Sequence, residues 1–408
     1  MSTQLTQHSS KPFLKKVGNF LIALLLFVLM LDPTNNLTHL KDKIFVLTLC
    51  FHILFFRPDW RLLPHIVTIL FIITVGYIIA EMQLSSIDYD FLLGVFKSMA
   101  PLSLLLWVRY YNVIKLAIIP VCITTIVIVA LYTAINASPI LELALFNYSN
   151  KHNDIVMLTH RNWLGVPIFG MYYRSIVSFV LVFYWILYSL IIKKSLPFGQ
   201  RILYGVLAIL MTIAFLISGT RAMMLTPLFI IGVVLYNRIY NSRYARYFFY
   251  PILSIAAVSF LILIFLLATQ KGDLSNAIKY EHINSYIELF TDNPQFLIWG
   301  QGTGTKFYTA GFGRVTTQTE WIYIEIIRNY GLMALGFLAV YTYPLFVLFR
   351  HRNNNYNLGL GLTYLAFLLV AGTNPFLLSS QGTSMLWMMY SYIIHFKEKN
   401  HIHPTINA

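Results

Sequence analysis

Residues 271–320 have the sequence KGDLSNAIKYEHINSYIELFTDNPQFLIWGQGTGTKFYTAGFGRVTTQTE, and they separate two long apolar blocks. This segment is of mixed polarity, whereas the chain on either side of it is nearly all hydrocarbon. It contains several charged side chains, among them Lys279, Lys306, Arg314 and Glu320. If the protein carries out chemistry, we expect most of the reacting groups to lie in this segment or to face it.

The composition of the whole chain predicts a membrane protein. Hydrophobic residues make up 58% of the 408 residues and charged residues only 11%, whereas a soluble domain is about one quarter charged. Apolar runs of about 15–22 residues recur along nearly the whole length, as expected of helices that cross a bilayer. The alternating segments of about ten residues that are typical of a transmembrane barrel are not visible. The predicted fold class is an all-α polytopic membrane protein, with residues 1–408 as a single integral membrane domain.

Twelve membrane spans are predicted from the apolar runs. Their approximate positions are 17–31, 44–56, 63–80, 91–108, 116–135, 175–192, 202–218, 222–237, 248–268, 322–345, 358–377 and 383–396. The second span is short and requires tilt or local thinning of the bilayer. Two substantial polar segments remain on one side of the membrane, a first segment at 136–174 and a large loop at 269–321.

The distribution of charge predicts that both termini are cytoplasmic. In this orientation 17 of the 29 Lys and Arg residues lie on the cytoplasmic side, and only Asp59 and Glu398 of the 15 acids do. This follows the positive-inside rule, which would be violated throughout if the second span were absent. The apolar run after Lys16 resembles a signal peptide but is not followed by a small-residue cleavage site, so we expect it to remain as the first span.

The net charge of +14 does not indicate nucleic-acid binding, because the basic residues form short clusters between apolar runs. We expect the remaining cations to face anionic lipid headgroups or a substrate that carries phosphate. Cys50 and Cys122 both lie in apolar runs and lack metal-ligand spacing. No zinc-protease, P-loop or serine-hydrolase motif is present, so neither a metal nor a cofactor is predicted.

Arg221 is the sharpest single candidate for binding a substrate. It follows Ser218-Gly219-Thr220 in a short outer turn between the seventh and eighth spans. A cation at the edge of a membrane needs water, a polar cavity or a partner. A guanidinium group beside hydroxyl donors suits bidentate binding of a phosphate. The alternative is an arginine that contacts lipid headgroups.

The first outer segment contributes His160, Arg161 and Arg174. Positive charge is disfavoured on this side of the membrane, so the two arginines predict an anionic partner, either lipid or a substrate diphosphate. His160 is a candidate base because imidazole titrates near neutral pH. The alternative for His160 is a solvated loop residue.

The large loop contains Asn293-Pro294 and then the glycine-rich run Gly300–Gly304, GQGTG. Glycines allow a tight backbone path whose exposed N–H groups can approach a sugar or a phosphate. A nucleotide site is not predicted, because no Rossmann-type strand precedes the run. Lys306 and Arg314 follow, interleaved with aromatic residues, and either bind an anionic group attached to sugars or belong to an ordinary solvated loop.

Glu320 closes the large loop immediately before the tenth span. We expect the membrane interface to desolvate this carboxylate, which raises a carboxyl pKa toward the range of a general base. Glu325 and Arg328 are three residues apart and are expected to pair on one helical face, which leaves Glu320 as the freer carboxylate. The alternative is an acid favoured by the dipole at the start of a helix.

Three motifs, in their order along the chain, resemble the bacterial O-antigen polymerase and ligase superfamily. They are Ser218-Gly219-Thr220-Arg221, the Asn293-Pro294 stretch that runs to Gly304, and TEW at 319–321 followed by a span containing Gly331. The resemblance covers most of the chain as topology, but it is confined to these short motifs at the level of residues. It implies a GT-C-like architecture.

The resemblance implies a metal-independent inverting glycosyltransferase of the bacterial inner membrane, whose active site faces the periplasm. The donor would be an oligosaccharide on undecaprenyl diphosphate, and the acceptor another lipid-linked repeat unit or lipid A–core. Arg221 matches the family's arginine after the seventh span, Arg161 and Arg174 would also hold the diphosphate, and Glu320 would be the base. Membrane lipids, a chain-length regulator and a flippase are further candidate partners.

Two departures from the family pattern bear on the activity. Ligases carry a histidine near the end of the large loop, where this chain has Glu320, which favours a polymerase. Many relatives have an arginine shortly before Asn293-Pro294, and here Lys279 or His282 is the candidate substitute. The alternatives that remain are a ligase and, from another class, a transporter or flippase, which predicts an internal inverted repeat that is not seen.

Overall fold

The structure of the chain is a computed structural model that describes residues 12–35, 38–83, 86–151, 155–163, 166–193, 195–239 and 274–402. Nine helices in these ranges are long and apolar enough to cross a membrane. They are Pro12–Leu31, Trp60–Met82, Tyr89–Tyr110, Val113–Ala137, Arg174–Ile192, Phe198–Ile217, Arg221–Ile239, Ile322–Arg350 and Asn355–Gly372. The predicted ninth span at 248–268 lies outside the described residues.

These helices define an all-α polytopic membrane protein, as predicted. The shortest has 18 residues and the longest 29, and about 20 residues at 1.5 Å each cross the hydrocarbon core of a bilayer. Large apolar side chains on the helices face outward, for example Phe71 at 60% exposed and Leu335 at 68%. Lipid tails are as apolar as these side chains, so such a surface is stable in a membrane.

The described helices are numbered in chain order. They are α1 Pro12–Leu31, α2 Lys41–Phe55, α3 Leu63–Met82, α4 Tyr89–Met99, α5 Val113–Leu116, α6 Ile118–Ala137, α7 Pro139–Lys151, α8 Val180–Ile192, α9 Phe198–Ile217, α10 Arg221–Ile239, α11 Leu274–Asp292, α12 Phe296–Trp299, α13 Ile322–Tyr330, α14 Ala334–Arg350, α15 Asn355–Ala371 and α16 Ser380–Ile402. Four 3-10 segments adjoin them, Trp60–Leu62, Ala100–Tyr110, Arg174–Phe179 and Gly331–Met333.

Two further helices lie where spans were predicted but are not among the nine. Helix α2 has 15 residues and coincides with the short prediction at 44–56. Helix α16 has 23 residues and lies in the interior, where Trp387 is buried and its Nε1 donates to the carbonyl of Pro101 at 3.1 Å. Neighbouring helices shield the polar residues of α16, such as Ser384 and Ser391, from lipid. The twelve-span topology stays a prediction.

Two antiparallel hairpins lie outside the spans. Strand β1 (Val156–Trp163) pairs with β2 (Val166–Tyr173), with Val156 opposite Tyr173. Strand β3 (Phe307–Thr309) pairs with β4 (Arg314–Thr316). The first hairpin belongs to the segment at 136–174 and the second to the large loop. Tyr172 of the first hairpin lies near Glu320 of the large loop, and we call the side of the helical body where they meet the loop face.

The described part of the large loop is folded onto the helices rather than solvated. The N–H of Thr303 donates to the carbonyl of Gly76 in α3 at 3.0 Å, and Thr305 forms a bridge with Ile87. A Cβ on Gly76 would lie 2.5 Å from Thr303 Oγ1, so only a glycine lets the loop approach α3 this closely. The loop therefore has a fixed position on the loop face.

Candidate functional site

The two ends of the large loop meet at an ion pair. Lys279 Nζ in α11 lies 3.3 Å from Glu320 Oε2, just before α13, with the two side chains 28% and 39% exposed. The neighbouring Trp321 donates from Nε1 to the carbonyl of Lys279 at 3.0 Å. Glu320 is therefore more exposed to solvent than the sequence predicted, because it lies in the turn before α13, at the edge of the large loop.

The first outer segment also comes near the carboxylate of Glu320, through Tyr172 in β2. Tyr172 is buried, and its burial raises the pKa of the phenol; the nearby Arg174 lowers this pKa, and the nearby Glu320 raises it. Arg174 begins the buried 3-10 segment, and its N–H donates to the carbonyl of Ile155 at 3.0 Å. The fold therefore brings Arg174 and Glu320, two predicted site residues, near the same buried hydroxyl.

Arg221 approaches the large loop from the end of the spans. It is the first residue of α10, and its Nη1 donates to Asn276 Oδ1 in α11 at 3.5 Å. The preceding turn needs Gly219, whose φ is +63°, and Ser218 Oγ donates to the carbonyl of Phe215. Asn276 and Lys279 are three residues apart on α11 and share a face. Arg221 therefore lies one helical turn from the Lys279–Glu320 pair.

His282 is the residue whose position the sequence left most open. It is buried, its Nδ1 is hydrogen-bonded to Thr309 Oγ1 at 2.5 Å, and Phe312 packs edge-on against its ring. Burial lowers the pKa of His282, although Glu320, Glu281 and Glu325 oppose this shift. A neutral imidazole does not replace an arginine, so Lys279 is the better substitute for the cation expected before Asn293-Pro294.

We call six residues of this region the loop-face cluster. They are Tyr172, Arg174, Arg221, Lys279, His282 and Glu320. Three of them were predicted from the sequence as site residues. Tyr172 carried no sequence signal beyond its place two residues before Arg174, and only the pairing of β2 with β1 and the packing of the loop place it here.

The other predicted residues lie at the edge of the cluster or outside the described part of the structure. Arg314 lies over the ring of Phe312 at 5.7 Å and so joins the cluster only through that ring. Lys306 Nζ lies 4.0 Å from Asp88 Oδ2, and no described contact joins it to the cluster. His160 and Arg161 are in β1, opposite Phe169 and Ile168, but their side chains lie outside the described part.

The glycine-rich run has a structural role instead of the predicted ligand contact. The N–H groups of Gln301, Gly302 and Thr303 donate to the carbonyls of Arg328, Asn329 and Gly76, respectively. A Cβ on Gly302 would lie 2.5 Å from the backbone nitrogen of Ala80. The prediction that these N–H groups are exposed to a phosphate is therefore wrong, because the run is buried between α3 and α13.

Arg328 holds the glycine-rich run in place through an ion pair and several hydrogen bonds. It is fully buried, pairs with Glu325, and donates from Nη1 to Gln301 Oε1 at 2.6 Å and from Nη2 to the carbonyl of Thr317 at 2.8 Å. Its guanidinium also lies 4.5 Å from the centroid of Phe307. The predicted Glu325–Arg328 pair is confirmed, and Glu325 is not available as a base, because Arg328 and Tyr286 already donate hydrogen bonds to its two carboxylate oxygens.

The chain has no match among known protein-family models or curated proteins. Across the described residues, no group of three or more His, Cys, Asp or Glu side chains is placed to hold a metal ion. The case for a function therefore depends on the chemistry of the loop-face cluster.

Proposed function

We propose that the protein is a polysaccharide repeat-unit polymerase of the bacterial inner membrane. It transfers a glycan from undecaprenyl diphosphate to a sugar hydroxyl of another lipid-linked repeat unit. In this proposal the protein has twelve spans, a GT-C-like architecture and cytoplasmic termini, and its loop face is periplasmic. The observation that carries the proposal is the convergence of two arginines and a carboxylate at the membrane edge.

Arg174 and Arg221 are suited to stabilise the diphosphate leaving group. When the anomeric carbon separates from the diphosphate oxygen, the electron pair of that bond moves to the diphosphate, and its negative charge grows. Arg174 and Arg221 lie at the ends of membrane helices, where a guanidinium stabilises such charge more strongly than in water. Lipid phosphates also lie at this depth, so a polyprenyl diphosphate reaches these side chains without leaving the membrane.

Glu320 is suited to act as the general base. The acceptor hydroxyl attacks the anomeric carbon from the face opposite the diphosphate and gives its proton to the carboxylate, with inversion at that carbon. Positioned proton transfer of this kind contributes about 10²–10⁴ to a rate. Lys279 orients the carboxylate of Glu320 through their ion pair. Lys306 and Arg314 are the proposed contacts of the growing glycan, and Arg161 is a further proposed contact of the diphosphate.

The test is a deletion strain that expresses single variants. Glu320→Gln and Arg221→Ala are expected to abolish long-chain polysaccharide at normal protein abundance. Glu288→Gln is the matched control, because Glu288 is an exposed carboxylate on α11. Normal polymer in both site variants would reject the assignments.

The product that accumulates in the deletion strain separates the other activities. Loss of a polymerase leaves single repeat units on the final acceptor. Loss of a ligase instead leaves long chains on the carrier lipid, and loss of a flippase leaves unpolymerised lipid-linked units on the cytoplasmic side. Either of these last two outcomes would reject the polymerase.

A further inference from the structure

Two buried polar atoms in the loop-face cluster have no hydrogen-bond partner within the described part of the chain. They are the hydroxyl oxygen of Tyr172 and Nε2 of His282. Tyr172 is 7% exposed and His282 is fully buried. Leaving a buried polar group unpaired destabilises the fold, so two such groups near one carboxylate call for a ligand.

Of the two adjacent tyrosines in β2, only Tyr172 has an unpaired hydroxyl, and Tyr173 on the opposite face has a partner. Adjacent residues of a strand point to opposite faces. Tyr173 donates its hydroxyl hydrogen bond to the carbonyl of Leu31 at the end of α1. Tyr172, on the other face, lies near Arg174 and Glu320 and makes no such bond.

The two groups themselves indicate the class of ligand, because charges of both signs lie around them. Arg174 and Glu320 lie near Tyr172, and Glu320, Glu281, Glu325 and Lys279 lie near His282. The phenol and the imidazole are both neutral near pH 7, since burial raises the pKa of Tyr172 and lowers that of His282. Neutral groups that donate and accept hydrogen bonds beside a carboxylate match the hydroxyl groups of an uncharged sugar.

We propose that Tyr172 and His282 form the subsite for the acceptor sugar, with hydrogen bonds from the Tyr172 hydroxyl and His282 Nε2 to hydroxyl groups of a neutral glycan held against Glu320. This inference rests on the proposed function and adds to it the residues that hold the acceptor. The diphosphate of the donor then lies on the arginine side of the cluster.

The first experiment compares Tyr172→Phe with Tyr173→Phe in the purified full-length protein. Tyr172→Phe is expected to keep or raise the melting temperature, because it removes a hydroxyl that the fold leaves unpaired. It is also expected to lower the rate of polymer formation about tenfold, the effect of one lost hydrogen bond to the substrate. Tyr173→Phe is expected to lower the melting temperature, because its hydroxyl serves the fold.

The probe for binding is the lipid-linked oligosaccharide extracted from the deletion strain. This extract is expected to raise the melting temperature of the wild type and of Tyr173→Phe more than that of Tyr172→Phe. A shift that Tyr172→Phe keeps in full, or a loss of stability equal to that of Tyr173→Phe, overturns the subsite alone. An extract that stabilises no form of the protein rejects the proposed function, and the subsite with it.

A second pair of variants tests the imidazole. An asparagine at 282 keeps a polar atom near the position of Nδ1 and removes Nε2, whereas a glutamine keeps one near Nε2. His282→Gln is expected to retain several times more polymer formation than His282→Asn at equal protein abundance. Equal rates in the two variants would overturn the role of Nε2.

Discussion

Two carboxylate–cation pairs lie at the loop face and differ in their access to solvent. Arg328 and Glu325 are both completely buried, and a second oxygen of Glu325 accepts a hydrogen bond from Tyr286. Lys279 and Glu320 lie at the rim of the same loop and remain partly exposed. The chemical groups are of the same kind, but their surroundings give them different roles.

This difference in solvent exposure indicates which pair stabilises the fold and which pair is available for catalysis. A buried pair that loses one partner leaves a charge without compensation, at a cost of about 3–5 kcal/mol. An exposed pair contributes only about 0–1 kcal/mol. The Glu325–Arg328 pair therefore has to stay closed, whereas Glu320 can exchange Lys279 for a substrate hydroxyl at little cost.

The largest expected effect is on the buried pair. Arg328→Met is expected to destabilise the protein by about 3–5 kcal/mol, because Glu325 is left buried and unpaired. Thermal unfolding of the purified protein in detergent measures the loss. The double variant Glu325→Gln/Arg328→Met is expected to recover part of it, since no charge then remains buried. A single variant as stable as the wild type would show that the pair does not hold the loop.

The next effect concerns the glycine run that Arg328 holds. Gly302→Ala is expected to cost at least about 1–3 kcal/mol, because its φ is +99° and a Cβ would meet the backbone of Ala80. Gly313→Ala is the matched control, since Gly313 also has a positive φ, +60°, but has nothing within 4 Å of the added Cβ. The melting temperatures of the two variants separate crowding from backbone strain. Equal losses would mean that the contact with α3 is unimportant.

A smaller effect is the pH dependence contributed by His282, whose pKa is influenced by the carboxylates of both pairs. Burial lowers its pKa, against the opposing effects of Glu320, Glu281 and Glu325 and with a further lowering by Lys279. The unfolded chain therefore binds the proton more readily, and the contribution to stability is complete above about pH 6.5 and falls as the pH decreases below that value.

The melting temperature of the wild type is accordingly expected to fall more between pH 7.5 and about pH 5.5 than that of His282→Gln, which cannot titrate. The two proteins differ only at this residue, so the other histidines cancel in the comparison. Identical pH profiles would show that His282 is not kept neutral by the fold.

The smallest effect is expected at the rim. Lys279→Met is expected to change the stability by about 0–1 kcal/mol, because the pair with Glu320 is partly hydrated. The measurement is the same thermal unfolding series, which places Lys279→Met and Arg328→Met on one scale. A loss at Lys279 as large as that at Arg328 would remove the distinction between the two pairs.

The class of the fold was predictable because the membrane acts on local sequence. A span needs about 20 apolar residues whatever its neighbours are, so the predicted span at 175–192 and the helix Arg174–Ile192 nearly coincide. The interior position of α16 was not predictable, because its polar residues are shielded only by other helices. The Glu325–Arg328 pair was predictable, since the spacing along one helix fixes it.

The site was predictable only in part, for the same physical reason. Charged residues at the edge of a membrane are costly, so the sequence by itself pointed to Arg174, Arg221 and Glu320. Only the tertiary structure decided that Glu320 pairs with Lys279, that the glycine run is buried, and that Tyr172 lies beside Glu320. Hydropathy is a property of consecutive residues, whereas the partner of a charge or a hydroxyl is set by distances across the fold.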